Sequence, residues 1–282
     1  MLRGIYTGAS GMTCLNNCMD VISQNLANAD VIGYKRVVSV EKNFPELLLR
    51  RMNDDGMIRN PFGSQDLSPV VGVLGIGVEQ NEVYIDFSQG SLRETGHDFD
   101  VALDGQGFFA VETQFGERYT RNGTFLLNEQ GYLVTTEGYY VLGENGRIQL
   151  KENNFVIDKT GTIYQNQALA EPADRLVSKE ENEWQDTQRV DRLKLVDFKR
   201  ARYLEKQGSS LYRPNDTSGE PRLLAGDNRP TVRQGFLEAA NVNPITEMVR
   251  MIEVNRAYEA NQKSVQSEDG LAGRLMNETI RI

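Results

Sequence analysis

Helical heptad patterns occupy both ends of this 282-residue chain, and the long stretch between them is punctuated by glycine and alternates like β-strand. The two periods cannot share one layer, so the chain must leave a helical region, build sheet, and return to helix. In residues 5–29, Ile5, Met12, Met19 and Leu26 recur at seven, with Leu15 and Ile22 interleaved, giving one narrow apolar seam. The remaining face is small or polar, with Thr13, Asn16, Asn17, Asp20, Ser23 and Gln24. No run of i,i+4 charge pairs supports it. Such a helix needs a partner.

Residues 243–275 offer one. Asn243 can accept a bond from an orphan N–H, and Pro244 at the first helical position loses only a donor that would be unpaired anyway. Met251, Tyr258, Val265 and Ala272 recur at seven, with Val254 and Leu275 between them. Asn261 and Glu268 fall on the same interleaved row and weaken the seam. The same spacing also describes two amphipathic helices packed on an ordinary globular core.

The formal charge is 31 minus 40, or -9, which argues against a polyanionic partner such as nucleic acid. No apolar run approaches the roughly 20 residues that cross a bilayer. The first residues lack the apolar block of a cleavable secretory signal, so export would require another route. Cys14 and Cys18 lie four apart on one helical face, with His97, the single histidine, in a different segment. Four zinc ligands cannot be gathered from these, and a disulfide at i,i+4 would strain the helix.

The helical pattern stops at Gly33. A short helix is expected over Phe44–Met52, followed by an Asn-, Asp-, Gly- and Pro-rich stretch over 53–69 that reads as an extended connector. Beyond it, Val83, Ile85 and Phe87 alternate with polar neighbours. Short strands are expected at 101–103, 108–112, 124–127, 132–135, 139–142, 155–157 and 193–198, the pattern of antiparallel hairpins. Gly116, Gly131, Gly146 and Gly161 mark turns spaced at fifteen. The charged stretch 171–188, which carries Trp184, and residues 208–230 read as loops.

Signals for catalysis are weak. Asp98, Asp100 and Asp104 resemble a calcium loop, but its glycine and its twelfth-position acid are misplaced. Two separate Gly-x-Gly pairs, 75/77 and 105/107, lack a third glycine and a following helix. No nucleophile elbow accompanies His97. The expectation is a protein without catalytic, cofactor or metal site, and not an enzyme.

Five blocks carry a more specific signal. They are Leu2–Met12, Ile22–Asn28 with Gly33–Arg36, Asp100–Phe109, Tyr119–Gly123 and Gln234–Asn243. Together they resemble the bacterial flagellar rod and hook proteins over nearly the whole chain. The ending Glu268–Arg274 is similar to that of a proximal rod subunit, whereas Glu247–Tyr258 fits a distal one equally well.

The resemblance implies an α+β fold in which terminal helices form a coiled-coil-like inner domain (1–33 and 243–282). Connectors at 34–80 and 226–242 would lead to an antiparallel β-rich outer domain at 81–225. It further implies a structural subunit of the basal-body rod, proximal by preference, exported through the flagellar apparatus without a cleaved signal. Such a subunit would assemble with itself and with other rod and hook subunits through its terminal helices, without nucleic acid or membrane insertion. Cys14, Cys18 and the segment 171–188 depart from the family pattern.

Assembly would rest on Ile5, Met12, Leu15, Met19, Ile22 and Leu26 at one end, and on Met251, Val254, Tyr258, Val265 and Leu275 at the other. A distal rod or hook subunit is the alternative within the family. Outside it, the alternatives are a closed coiled-coil adaptor and a secreted, β-rich polysaccharide-active enzyme with dimerising helices. That enzyme would need two carboxylates roughly 5–9 Å apart, drawn from Asp98 or Asp104 with Asp158.

Overall fold

A computed structural model describes residues 2–51, 57–60, 63–66, 70–150, 155–166, 187–208, 210–226 and 229–279. The chain divides into two compact units. One comprises Met1–Gln24, Val38–Val83 and Ile245–Ile282; the other comprises Asn25–Val37 and Tyr84–Pro244. Mixed α and β structure results, with a helix at each end and an antiparallel β-rich middle.

Helix α1 spans Leu2–Ala27 and helix α2 spans Pro244–Thr279. Proline opens α2 and Glu247 stands in its first turn, where a carboxylate complements the helix dipole. The first turn of α1 has no acidic residue of its own. Arg36–Asn43 and Val78–Asp86 pair as a two-stranded ribbon, and the Val78 amide donates to Ser10 Oγ of α1 at 3.4 Å. Thr7 Oγ1 donates to the Ile76 carbonyl at 2.8 Å, and Ser10 packs where a side chain at Gly77 would be.

The expected helix over Phe44–Met52 is not formed. Leu47–Arg50 is a strand paired antiparallel with Val70–Leu74, in the register Leu47↔Leu74 and Leu48↔Val73. A short apolar run has no period that separates helix from strand, and a β-branched partner strand decides the outcome. In the stretch read as a connector, Met57–Asn60 and Gly63–Asp66 form a hairpin.

The β-rich unit is built on a nine-stranded sheet. Its main path runs Phe125–Leu127, Leu133–Thr135, Tyr140–Val141, Phe108–Thr113, Gly116–Thr120, Leu211–Arg213, Glu205–Gln207. Phe155–Ile157, Thr162–Asn166 and Thr187–Arg192 form a second sheet. The strands expected from alternation are present, and the four glycines spaced at fifteen all adopt positive φ at turns. The segment 208–230, read as a loop, contains two strands, Leu211–Arg213 and Arg222–Leu223. Tyr212 holds the first of these in place because its ring is fully buried against Phe87 and Phe108. Most of the charged stretch 171–188, Trp184 included, lies outside the described residues.

Val101, Leu103, Phe109, Val111, Leu133 and Leu195 belong to one continuous buried cluster. Phe108, Tyr119, Phe198 and Tyr212 form an aromatic cluster beside it. Adjacent residues of one strand, Phe108 and Phe109, serve opposite faces, as a period of two requires.

Candidate assembly interface

The two terminal helices meet along a line of glycines. A β-carbon at Gly8 would fall 2.5 Å from Val265 Cγ2; one at Gly11 would fall 3.1 Å from the Asn261 amide nitrogen, and one at Gly4 2.7 Å from Glu268 Oε1. As the position on α1 rises from 4 to 11, its neighbour on α2 falls from 268 to 261, so the helices run antiparallel. Glycine permits this approach because it presents no side chain to the facing helix. Glu268 also brings a carboxylate to the first turn of α1, which lacks one.

Met251, Val254, Tyr258, Asn261, Val265, Glu268 and Ala272 are all half-buried, and they form one row along α2. On α1, Ile22 is buried, while Ile5, Met12, Leu15 and Met19 are half-buried. Leu26 is half-buried in the β-rich unit, and Leu275 is exposed. At 100° per residue, Leu15 and Ile22 continue the line of Gly4, Gly8 and Gly11, whereas Ile5, Met12 and Met19 sit further round the helix. The glycine line escaped a reading that looked for large apolar residues. Its sequence signal was the spacing of small residues at four and three.

A second constellation lies where the chain enters and leaves the β-rich unit. Lys35, wholly buried, donates from Nζ to Glu238 Oε1 at 2.6 Å and to the Ser88 carbonyl at 2.8 Å. Arg121, also buried, reaches Glu238 Oε2 at 3.4 Å, and the Gly90 amide donates to Oε1 at 2.9 Å. One carboxylate thus answers two buried cations. Burial pushes the Lys35 ammonium below its usual range, and Glu238 works in the opposite direction.

Beside this cluster, Asn25 closes both backbone groups of Val37, donating to its carbonyl at 2.8 Å and accepting from its amide at 2.9 Å. Gly33, at φ +69°, donates to the Glu238 carbonyl at 2.8 Å. A β-carbon at Gly33 would meet the Asn122 amide at 2.6 Å, so only glycine fits. Three of the five blocks singled out in the sequence therefore meet at one place: the end of α1 with Gly33–Arg36, then Arg121–Asn122, and then Gly235–Asn241.

Comparison with known proteins gives the family. Residues 5–35 match the family described as flagella basal body rod protein, 102–165 match the flagellar hook protein FlgE/F/G D1 domain, and 233–278 match the flagellar basal body rod FlgEFG protein C-terminal. The chain is 34% identical to the flagellar basal-body rod protein FlgF of Caulobacter vibrioides over 95% of its own length and 94% of that protein. The chain belongs to the flagellar basal-body rod family.

It is also similar to two proteins named flagellar basal-body rod protein FlgG. One, from Buchnera aphidicola subsp. Schizaphis graminum, is 32% identical, with 98% of this chain and 99% of that protein covered. The other, from Bacillus subtilis, is 29% identical with the same coverage. The family is a structural one, and the chain is a structural rod subunit.

The carboxylates weighed for chemistry are held in local structure of this rod protein. Asp100 accepts from Thr95 Oγ1 at 2.6 Å, Asp104 pairs with Arg233 at 2.7 Å, and Asp158 accepts from the Lys159 amide at 2.6 Å. Cys14 is buried in the helical unit with its thiol pushed up to about 11, first by burial and then by Glu41. Cys18, half-buried, is raised for the same two reasons. Neither cysteine is in a disulfide, and no group of three or more His, Cys, Asp or Glu side chains suited to a metal occurs among the described residues. Among them, likewise, no helix is long and apolar enough to cross a membrane.

Proposed function

We propose that this rod subunit belongs to the proximal rod and that its terminal helices are the surface through which it polymerises. The observation that carries the second part is the half-buried state of the seam. From Met251 to Ala272 no seam residue of α2 is fully buried, although the row is in contact with α1. Apolar surface left half-covered in a subunit is available for burial against neighbours. The terminal regions 1–33 and 243–282 would then form a coiled-coil-like inner domain, and 81–225 an outer domain carried by it. Partners would be further copies of this chain and other rod and hook subunits, and the flagellar apparatus would export it to the basal body. Torque needs only heterologous, repeating contacts of this kind.

The test replaces Val265 with Asp in an otherwise flagellated strain. An uncompensated charge at the seam costs several kcal/mol. The variant should be made and exported at normal levels yet leave cells without rods and non-motile. Normal motility would remove the terminal helices from the assembly interface. The proximal assignment rests on the 34% identity to a FlgF against 29% to 32% for the FlgG proteins above. Labelling the subunit in isolated basal bodies decides it: signal at the cell-distal end of the rod would make the chain a distal subunit.

A further inference from the structure

Helix α2 is apolar on two opposite sides over its first turns. At 100° per residue, Ile245, Val249 and Ile252 share a line about 180° from the row that meets α1. They are 73%, 51% and 54% exposed. A helix apolar on both sides is one that is covered on both sides when its structure is complete. Further along the same outer line the chemistry changes to Arg256, Glu259 and Lys263, all exposed.

Helix α1 has an outer line as well, opposite Gly4, Gly8 and Gly11. Tyr6, 69% exposed, stands near its start, with Thr13 and then Asp20 further along. Tyr6 and Asp20 are fourteen residues apart, and so are Val249 and Lys263. Each interval spans about 21 Å of helix. Laid parallel in register, the two lines put an aromatic ring on the apolar patch and a carboxylate on an ammonium.

Within one chain these lines cannot meet, because the opposite sides of the same two helices are already in contact and run antiparallel. We propose that the outer line of α2 receives the outer line of α1 from a second copy of this chain. Tyr6 seats on Ile245, Val249 and Ile252, and Asp20 faces Lys263. The contact is heterologous and leaves the second copy's own α2 line open, so it repeats from subunit to subunit. This inference rests on the proposal that the terminal helices are the assembly surface.

The test uses the full-length chain in cells, with motility and rod yield measured at matched secretion. Asp20→Lys and Lys263→Glu are exposed reversals that leave each subunit's own packing alone. Each should lower rod yield about tenfold, and the double reversal should recover it to within about twofold of the unaltered chain. Ile252→Asp should also abolish rods. Single reversals without effect, or a double reversal no better than the worse single one, would overturn the pairing. Val265→Asp separates the two levels: if it blocks assembly while Ile252→Asp and both reversals do not, only the outer-line contact fails. If Val265→Asp also assembles normally, the assembly surface itself is misplaced and the pairing falls with it.

Discussion

The β-rich unit and the helical unit of this rod protein bury their apolar residues to different extents. In the first, Val111, Val141, Ile163 and Leu195 are wholly inaccessible and belong to one continuous cluster. In the second, the α2 seam is half-covered throughout, and Ile245, Val249 and Ile252 stand exposed on the other side. A continuous buried core makes a fold that stands alone, whereas a half-covered one is finished by a neighbour. Under the proposed function, the difference separates the part of the subunit that is complete before assembly from the part that assembly would complete.

The largest effect that could break this comparison comes from the buried ion cluster. Glu238→Ala leaves Lys35 and Arg121 buried without their carboxylate, which should cost the β-rich unit about 3–5 kcal/mol in urea denaturation. Replacing all three, as Lys35→Met, Arg121→Met and Glu238→Leu, should recover most of that loss, because no uncompensated charge remains. A Glu238→Ala unit that melts like the original would show that this cluster does not hold the entry to the unit together.

Limited proteolysis tests the independence of the units directly. A resistant fragment should survive within 84–244, while α1 and α2 are cut severalfold sooner in the isolated subunit. Equal resistance across the whole chain would mean that the helices are complete without neighbours.

Gly8→Val should act on the helical unit alone. Its β-carbon would overlap Val265, and forcing such a contact costs about 1–3 kcal/mol. Helical circular dichroism and rod yield should fall while the urea midpoint of the β-rich unit stays unchanged. A shift of that midpoint would show that the two units are energetically coupled.

The smallest effect concerns the cysteines. With its thiol raised from 9.0 to about 11, Cys14 is protonated at neutral pH, and its thiolate becomes abundant only as pH rises through that value. At pH 8 it carries about a hundredfold less thiolate than an unshifted thiol. Iodoacetamide should therefore label Cys14 far more slowly in the native chain than in urea. Cys18→Ser should leave assembly intact. Rapid native labelling of Cys14 would mean that the helical unit is open around it.

Local pattern determined a large part of this protein. The seven-residue recurrence from Ile5 to Leu26 and from Met251 to Ala272 was enough to place both helices, and alternation bounded by turn glycines placed part of the strands of the β-rich unit, among them Val101–Asp104, Phe108–Thr113 and Phe155–Ile157, because each signal needs only neighbours in sequence. The same blocks of residues were enough to point to the rod family. Tertiary structure decided what sequence spacing cannot express. Leu47–Arg50 is a strand because Val70–Leu74 lies beside it, and Tyr212 makes 211–213 a strand because an aromatic cluster receives its ring. Gly4, Gly8 and Gly11 became a contact line once a second helix lay against them, and Lys35, Arg121 and Glu238 became one cluster although 203 residues separate the first from the last. These features depend on surfaces and charges brought together from distant parts of the chain, and only the fold sets those distances.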